Sequence, residues 1–217
     1  MKTLIIVSHP EIDNSYTQQF LKRGTELENV TWHELAVNQP IDVEIEQRLL
    51  AENDRIIFQF PLYWYSSPAS LKNWQDEVLS SHLDLSDKHL GLVISTGLPA
   101  EAYQPGGEVG FSLAELTKPF QALAKKFAMN FLPILPIYQF GYQTDREKMA
   151  QLINYQRYLT QEPIESLTAK IEWFKSRLAA LNSEASTLNL LINELSTEQD
   201  RLADLQQTLA MIKMEED

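Results

Sequence analysis

The chain has 217 residues, 44% of them hydrophobic and 10% aromatic, enough for one domain with a substantial core, or one domain plus an extension. Its formal charge of −12 argues against a nucleic-acid groove and against attraction to anionic membrane surfaces. With no cysteine there is no disulfide, thiolate nucleophile or zinc–thiolate site.

Leu4-Ile5-Ile6-Val7 is too short for the apolar part of a signal peptide, and no run approaches a membrane span. The expectation is a cytoplasmic protein without membrane insertion. Residues 3–8 form a fully apolar run, as expected of a strand covered on both faces. The loop that follows, Ser8-His9-Pro10-Glu11-Ile12-Asp13-Asn14-Ser15-Tyr16-Thr17-Gln18, matches neither the dinucleotide fingerprint nor a Walker loop. Ser15 with Gln18 resembles a capping box opening a helix over 15–27, which leaves free N–H groups and the positive helix end at 15–17. A phosphate fits there, with Ser15, Thr17 and His9 donating; an ordinary cap explains the same residues.

Residues 30–35 alternate weakly as a strand, and 41–52 show helical spacing, with Glu44 and Glu46 assigned to a solvated face. A buried strand over 55–60 then meets Pro61, which has no N–H for a ladder. Leu62-Tyr63-Trp64-Tyr65-Ser66-Ser67 follows, before Pro68 opens a helix near 68–80. Three consecutive aromatics between a strand and a helix suit a flat wall for a planar ligand, with loop N–H groups left for ring heteroatoms. Strand 90–96 leads into Thr96-Gly97-Leu98 and a long connection containing Tyr103, whose hydroxyl could stabilise developing charge. A surface excursion, with Tyr103 packed on its own loop, is the plainer alternative. Helix 112–128, a proline-interrupted strand 131–138 and helix 144–160 complete the alternation. Five strands, each followed by a helical segment, imply an α/β parallel sheet with right-handed crossovers and a ligand beyond the strands' carboxyl ends. His9, His33, His82 and His89 share no metal-ligand spacing, so no metal is expected.

Residues 163–217 change character. Leu167, Ile171, Phe174, Leu178, Leu181, Ala185, Leu188, Ile192, Leu195, Leu202 and Leu209, with Gln199 and Gln206 filling two slots, recur at alternating spacings of four and three, a coiled-coil-like seam. As one helix it would run roughly 70 Å at 1.5 Å per residue. Ser196-Thr197-Glu198-Gln199 offers a cap that would instead fold it into a hairpin. The tail carries 10 acidic and 5 basic side chains, which disfavours a basic membrane helix. Two units follow: residues 1–162 and a helical heptad extension, 163–217, expected to contribute to self-association.

Within residues 1–160, three segments resemble the NAD(P)H:quinone oxidoreductase family, which includes the bacterial general-stress reductases and potassium-efflux ancillary subunits. They are His9-Pro10 with Ser15; Phe60-Pro61-Leu62-Tyr63-Trp64-Tyr65-Ser66; and Thr96-Gly97 with Tyr103. Gly107, Gly110-Phe111-Ser112-Leu113 and Lys118-Pro119-Phe120 extend the match. The resemblance implies a flavodoxin-like, doubly wound five-stranded sheet in the order 2-1-3-4-5 that binds FMN rather than FAD. It implies that His9, Ser15, Tyr16 and Thr17 hold the phosphate and ribityl chain. Pro61, Leu62, Tyr63, Trp64 and Tyr65 would meet the ring, and Thr96, Gly97 and Leu98 its pyrimidine edge. Tyr103 would be catalytic, with NAD(P)H as co-substrate, a quinone-like acceptor, ping-pong turnover and a homodimer whose partner completes the site. Leu98 stands where many members have a second glycine, Thr17 where asparagine is common, and Val109 where animal relatives pair a histidine with the tyrosine. Two other readings are a flavin-binding regulatory subunit, as of a potassium-efflux transporter, and a one-electron flavodoxin-type shuttle, which the aromatic loop does not suit.

Overall fold

A computed structural model describes residues 1–36, 39–162, 166–180 and 186–216. Its contacts divide the chain into two compact units, Met1–Thr160 and Gln161–Asp217. The first alternates β1 (Thr3–Val7), α1 (Tyr16–Arg23), β2 (Val30–Glu34), α2 (Val43–Glu52), β3 (Arg55–Pro61), α3 (Ala69–Val78) and β4 (His89–Thr96). After a long connection come α4 (Leu113–Leu116), α5 (Lys118–Lys126), β5 (Asn130–Phe131), β6 (Leu135–Tyr138) and α6 (Asp145–Thr160). All strand pairings in the sheet are parallel, in the order β2-β1-β3-β4-β5, with β6 also on β4. The flavodoxin-like order expected from the resemblance is therefore the observed one.

The fifth strand is interrupted around Pro133, and its register on β4 slips by one residue there. Asn130 and Phe131 pair with His89 and Leu90, and pairing resumes at Val93 with Leu135. In the gap the Leu92 N–H donates to the Tyr158 hydroxyl of α6 at 3.0 Å. Gly91 makes room for that phenol, since a Cβ there would lie 2.5 Å from its oxygen. Pro119, at the start of α5, likewise divides the helix expected over 112–128 into two, and the Thr117 hydroxyl donates to the Leu113 carbonyl at the break.

Strand periodicity sends Leu4, Ile6, Ile56, Phe58, Phe60, Leu92 and Ile94 into one core with Leu50 of α2, Leu71 and Trp74 of α3 and Phe120 of α5. On the other face Gln59 Nε2 donates to Gln18 Oε1 of α1 at 2.6 Å, and Tyr155 of α6 donates to Gln59 Oε1 at 2.7 Å. Gln18 thus faces inward rather than completing a capping box; only the Ser15 half of that motif forms, with Ser15 Oγ accepting the Gln18 N–H at 3.4 Å. Glu46 corrects the solvated-face reading. It is 9% exposed and accepts from Trp74 Nε1 at 2.8 Å, with His33 Nε2 at 2.9 Å from its carboxylate. Burial alone would raise its pKa, but these two bonds together bring it below the ordinary value.

In the second unit α7 (Leu167–Ala180) and α8 (Ser186–Glu216) pack on each other, with Lys175 Nζ donating to Gln199 Oε1 at 3.2 Å. Ser196–Gln199 lies inside α8 and caps nothing. Leu181 and Ala185 of the seam, and the Leu188 side chain, lie outside the described residues. Ile171 is buried and Phe174, Leu178, Ile192, Leu195 and Leu202 are half-buried, whereas Leu167 and Leu209 are exposed. No described helix is long and apolar enough to cross a membrane.

Candidate functional site

The carboxyl ends of β1, β3, β4 and β6 surround an open cavity of about 280 Å³. Of the residues singled out from sequence, His9, Ser15, Thr17, Pro61, Leu62, Tyr63, Thr96 and Gly97 line it together. Ser95 and the segment Gln139-Phe140-Gly141-Tyr142 complete the lining. Tyr16, Trp64, Tyr65, Leu98 and Tyr103 lie outside the lining.

At one end stands the start of α1. The N–H groups of Tyr16 and Thr17 have no acceptor among the described residues, and Ser15, whose oxygen serves Gln18, keeps its own proton for donation outward. His9 Nδ1 accepts the Glu11 N–H at 3.0 Å, which assigns the ring proton to Nε2 in the neutral imidazole. Burial lowers the His9 pKa, outweighing Glu11, whose backbone bond and charge pull it up. At neutral pH this end therefore presents neutral donors and a helix dipole, a cradle for an anion.

The aromatic loop is a tight turn. Tyr63 and Ser66 exchange N–H···O bonds of 2.9 and 3.0 Å, with Trp64 and Tyr65 between them at φ 48° and 63°. Two successive left-handed residues make this a type I′ turn, a geometry that asparagine and glycine adopt with least strain. Leu62 N–H donates to Ser95 O at 2.9 Å. The N–H groups of Leu62 and Tyr63, expected to be open to a ligand, are therefore used by the chain. The turn leaves Trp64 94% exposed, with Tyr63 edge-on to the His9 ring at 6.3 Å. Pro61 also remains in register, opposite Ser95, so the ladder runs one residue past the point where its missing N–H was expected to stop it.

At the other end a Cβ on Gly97 would meet nothing within 4 Å, and the same holds for Gly141 across the cavity. Thr96 is buried and spends its hydroxyl proton on Leu98 O at 2.8 Å, so Leu98 serves the loop rather than the cavity. Tyr103 neighbours Thr96, its ring centroid 6.0 Å from that of Tyr138. Burial raises the Tyr103 pKa more than the neighbouring Thr96 hydroxyl lowers it, and Tyr65 and Glu108 add to the rise.

Gln139–Tyr142 is the part that the sequence did not disclose. Gln139 takes φ 44° and donates its N–H to Thr96 O at 2.9 Å, while Phe140 is buried against Tyr16 and Phe20. Tyr142 is left 86% exposed at the rim. The available signal was the aromatic and glycine run after a proline-interrupted strand, in the same place relative to the sheet as the other three loops. Among the described residues no group of three or more His, Asp or Glu side chains could hold a metal ion.

The profile of the flavodoxin-like-fold family matches residues 1–159. A solved structure described as an NADPH-quinone reductase from P. pentosaceus is 46% identical, with a TM-score of 0.71 over 74% of this chain and 98% of that one. General stress protein 14 of Treponema denticola, solved in complex with FMN, is 31% identical, with a TM-score of 0.68 over 73% of this chain and 98% of that one. The glutathione-regulated potassium-efflux ancillary protein KefG of Cronobacter sakazakii is 38% identical over 169 residues, which is 73% of this chain and 92% of that protein.

Proposed function

This chain belongs to the flavodoxin-like-fold family, and from that membership we propose that it is an FMN-dependent NAD(P)H oxidoreductase acting on quinones or similar electrophiles. The observation that carries the reading is the cavity itself: anion donors at one end, an open glycine at the other, and strand-end loops between. When bound there, FMN supplies hydride acceptance from NAD(P)H and two-electron donation to an acceptor, by turns in one place. The quinone reductase and FMN-bound relatives support both the cofactor and the chemistry.

The residues present fit the group. Ser15, Thr17, His9 Nε2–H and the free N–H groups of Tyr16 and Thr17 would hold its phosphate and ribityl chain. Leu62 and Tyr63 offer apolar side-chain surface to the ring rather than backbone donors. Gly97 admits the ring edge because no side chain fills that space. Tyr103, a phenol protonated at neutral pH whose pKa burial raises further, would donate a hydrogen bond as negative charge develops on reduction. Trp64 and Tyr65 project from the turn, and in a cytoplasmic homodimer they would extend the wall with the second copy.

Likeness to KefG supports a second reading, in which a flavin-bound chain regulates another protein. The visible spectrum of the purified protein, followed by anaerobic NADPH and then a quinone, tests both. A flavin band that bleaches and returns is expected of the reductase. Bound flavin that neither NADH nor NADPH reduces would favour the regulator. No flavin after incubation with FMN would overturn the cofactor assignment.

A further inference from the structure

Tyr138 ends β6 in register with Thr96 at the end of β4. Both sides of it are tied down: Gln139 N–H donates to Thr96 O at 2.9 Å, and Gln143 Nε2 donates to the Tyr138 carbonyl at 2.9 Å. Tyr103 reaches the same place from a loop. That loop's backbone closes on itself, with Val109 N–H on Ala102 O at 3.1 Å and Gly107 packed so tightly that a Cβ would lie 2.4 Å from Glu101 O. These bonds fix the backbone of Tyr103 but not its side-chain torsions. The ring it meets is Tyr138, 6.0 Å away between centroids and tilted by 35°.

We propose that Tyr138 is a positioning residue: its strand-held ring sets the Tyr103 side chain beside Thr96, so that the Tyr103 hydroxyl donates toward the ligand at Gly97. The proposal rests on the reductase reading. The groups acting on the pair are Tyr65, Glu108 and the Thr96 hydroxyl at Tyr103, and Glu101 at Tyr138; apart from Thr96 each is an acid. Burial, then the acidic neighbours, pushes both phenols above the ordinary value, and both are protonated at neutral pH. Losing the Tyr138 ring would open the Tyr103 phenol to water, so the loss would be felt in its titration.

The test has one arm without flavin and one with it. In the flavin-free chain, ionisation of Tyr103 among the eight tyrosines is isolated as the ultraviolet titration difference between each protein and its Tyr103→Phe counterpart. In Tyr138→Leu, which strips the covering ring, the Tyr103 titration moves down toward the ordinary phenol value. In Tyr138→Phe, which keeps the ring, it stays within a few tenths of a pH unit of the parent. In the FMN-loaded protein, Tyr138→Leu slows anaerobic reduction by NADPH about tenfold with FMN affinity unchanged, and Tyr138→Phe restores the rate to within about twofold. Adding Tyr138→Leu to Tyr103→Phe slows it no further, because the two act through one hydroxyl. An unmoved Tyr103 titration in Tyr138→Leu, a parental rate in that variant, or additive losses in the double variant would each overturn the proposal. A parent chain that takes up no FMN would instead defeat the reductase reading, while the flavin-free arm still judges the ring contact.

Discussion

Tyr103→Phe removes one hydroxyl and keeps the ring that packs on Tyr138. FMN should stay bound, and reduction by NADPH should slow on the order of 10- to 100-fold, as loss of one hydrogen bond to a developing charge does; stopped-flow bleaching of the flavin band reads it directly. Glu46 makes a different claim at the same scale. Its folded pKa lies below the ordinary 4.5, so its charged form stabilises the fold above that value, and the contribution is lost as pH falls through 4.5 and the folded pKa. Glu46→Gln should therefore cost about 1 kcal/mol at pH 7, with the gap to the parent closing in acid; urea unfolding at the two pH values checks the sign. Neither the burial of Glu46 nor its bond to Trp74 follows from helix periodicity, because the indole that covers it comes from α3, 28 positions away.

Elements were legible where local chemistry decides them. The apolar runs of β1 and β3 and the cap Ser15 on α1 fall where the pattern puts them. The type I′ turn at 63–66 was not legible, since Trp-Tyr is a poor sequence for two left-handed residues, each costing of order 1 kcal/mol. Strain of this kind persists where exposed aromatics are useful. Replacing the pair by Trp64→Asn with Tyr65→Gly should raise stability by about 1–2 kcal/mol while weakening turnover, measured as a higher urea midpoint alongside slower quinone reduction. Equal or lower stability would mean that contacts of these rings outweigh the backbone strain. The break at Thr117 and the split between β5 and β6 were signalled only by Pro119 and Pro133. That the Thr117 hydroxyl bonds Leu113 O and the Tyr158 hydroxyl takes the Leu92 N–H was not legible at all.

Over the whole molecule, every cavity-lining residue belongs to Met1–Thr160, and the packed pair α7 and α8 belongs to the other unit. Ending the chain after residue 162 should leave FMN affinity within about twofold, because no donor is lost. The same truncation should lower the assembly mass by more than the deleted residues if the heptad extension joins two copies; light scattering with a flavin titration measures both. An assembly mass reduced only by the deleted residues would remove the extension from self-association.

By itself the sequence determined the alternation of strand and helix, the parallel class of the sheet, and three of the four loops that meet at the cavity. Each depends on residues close in the chain, where periodicity, proline and capping chemistry act directly. Only the tertiary structure decided that Gln139–Tyr142 forms the fourth wall, that Trp64 points outward while Gln18 and Glu46 point inward, and that Tyr103 rests on Tyr138. Those outcomes turn on which distant element covers which side chain. Burial and hydrogen-bond partnership between elements depend on which elements the fold brings together, which the spacing within any one element does not record.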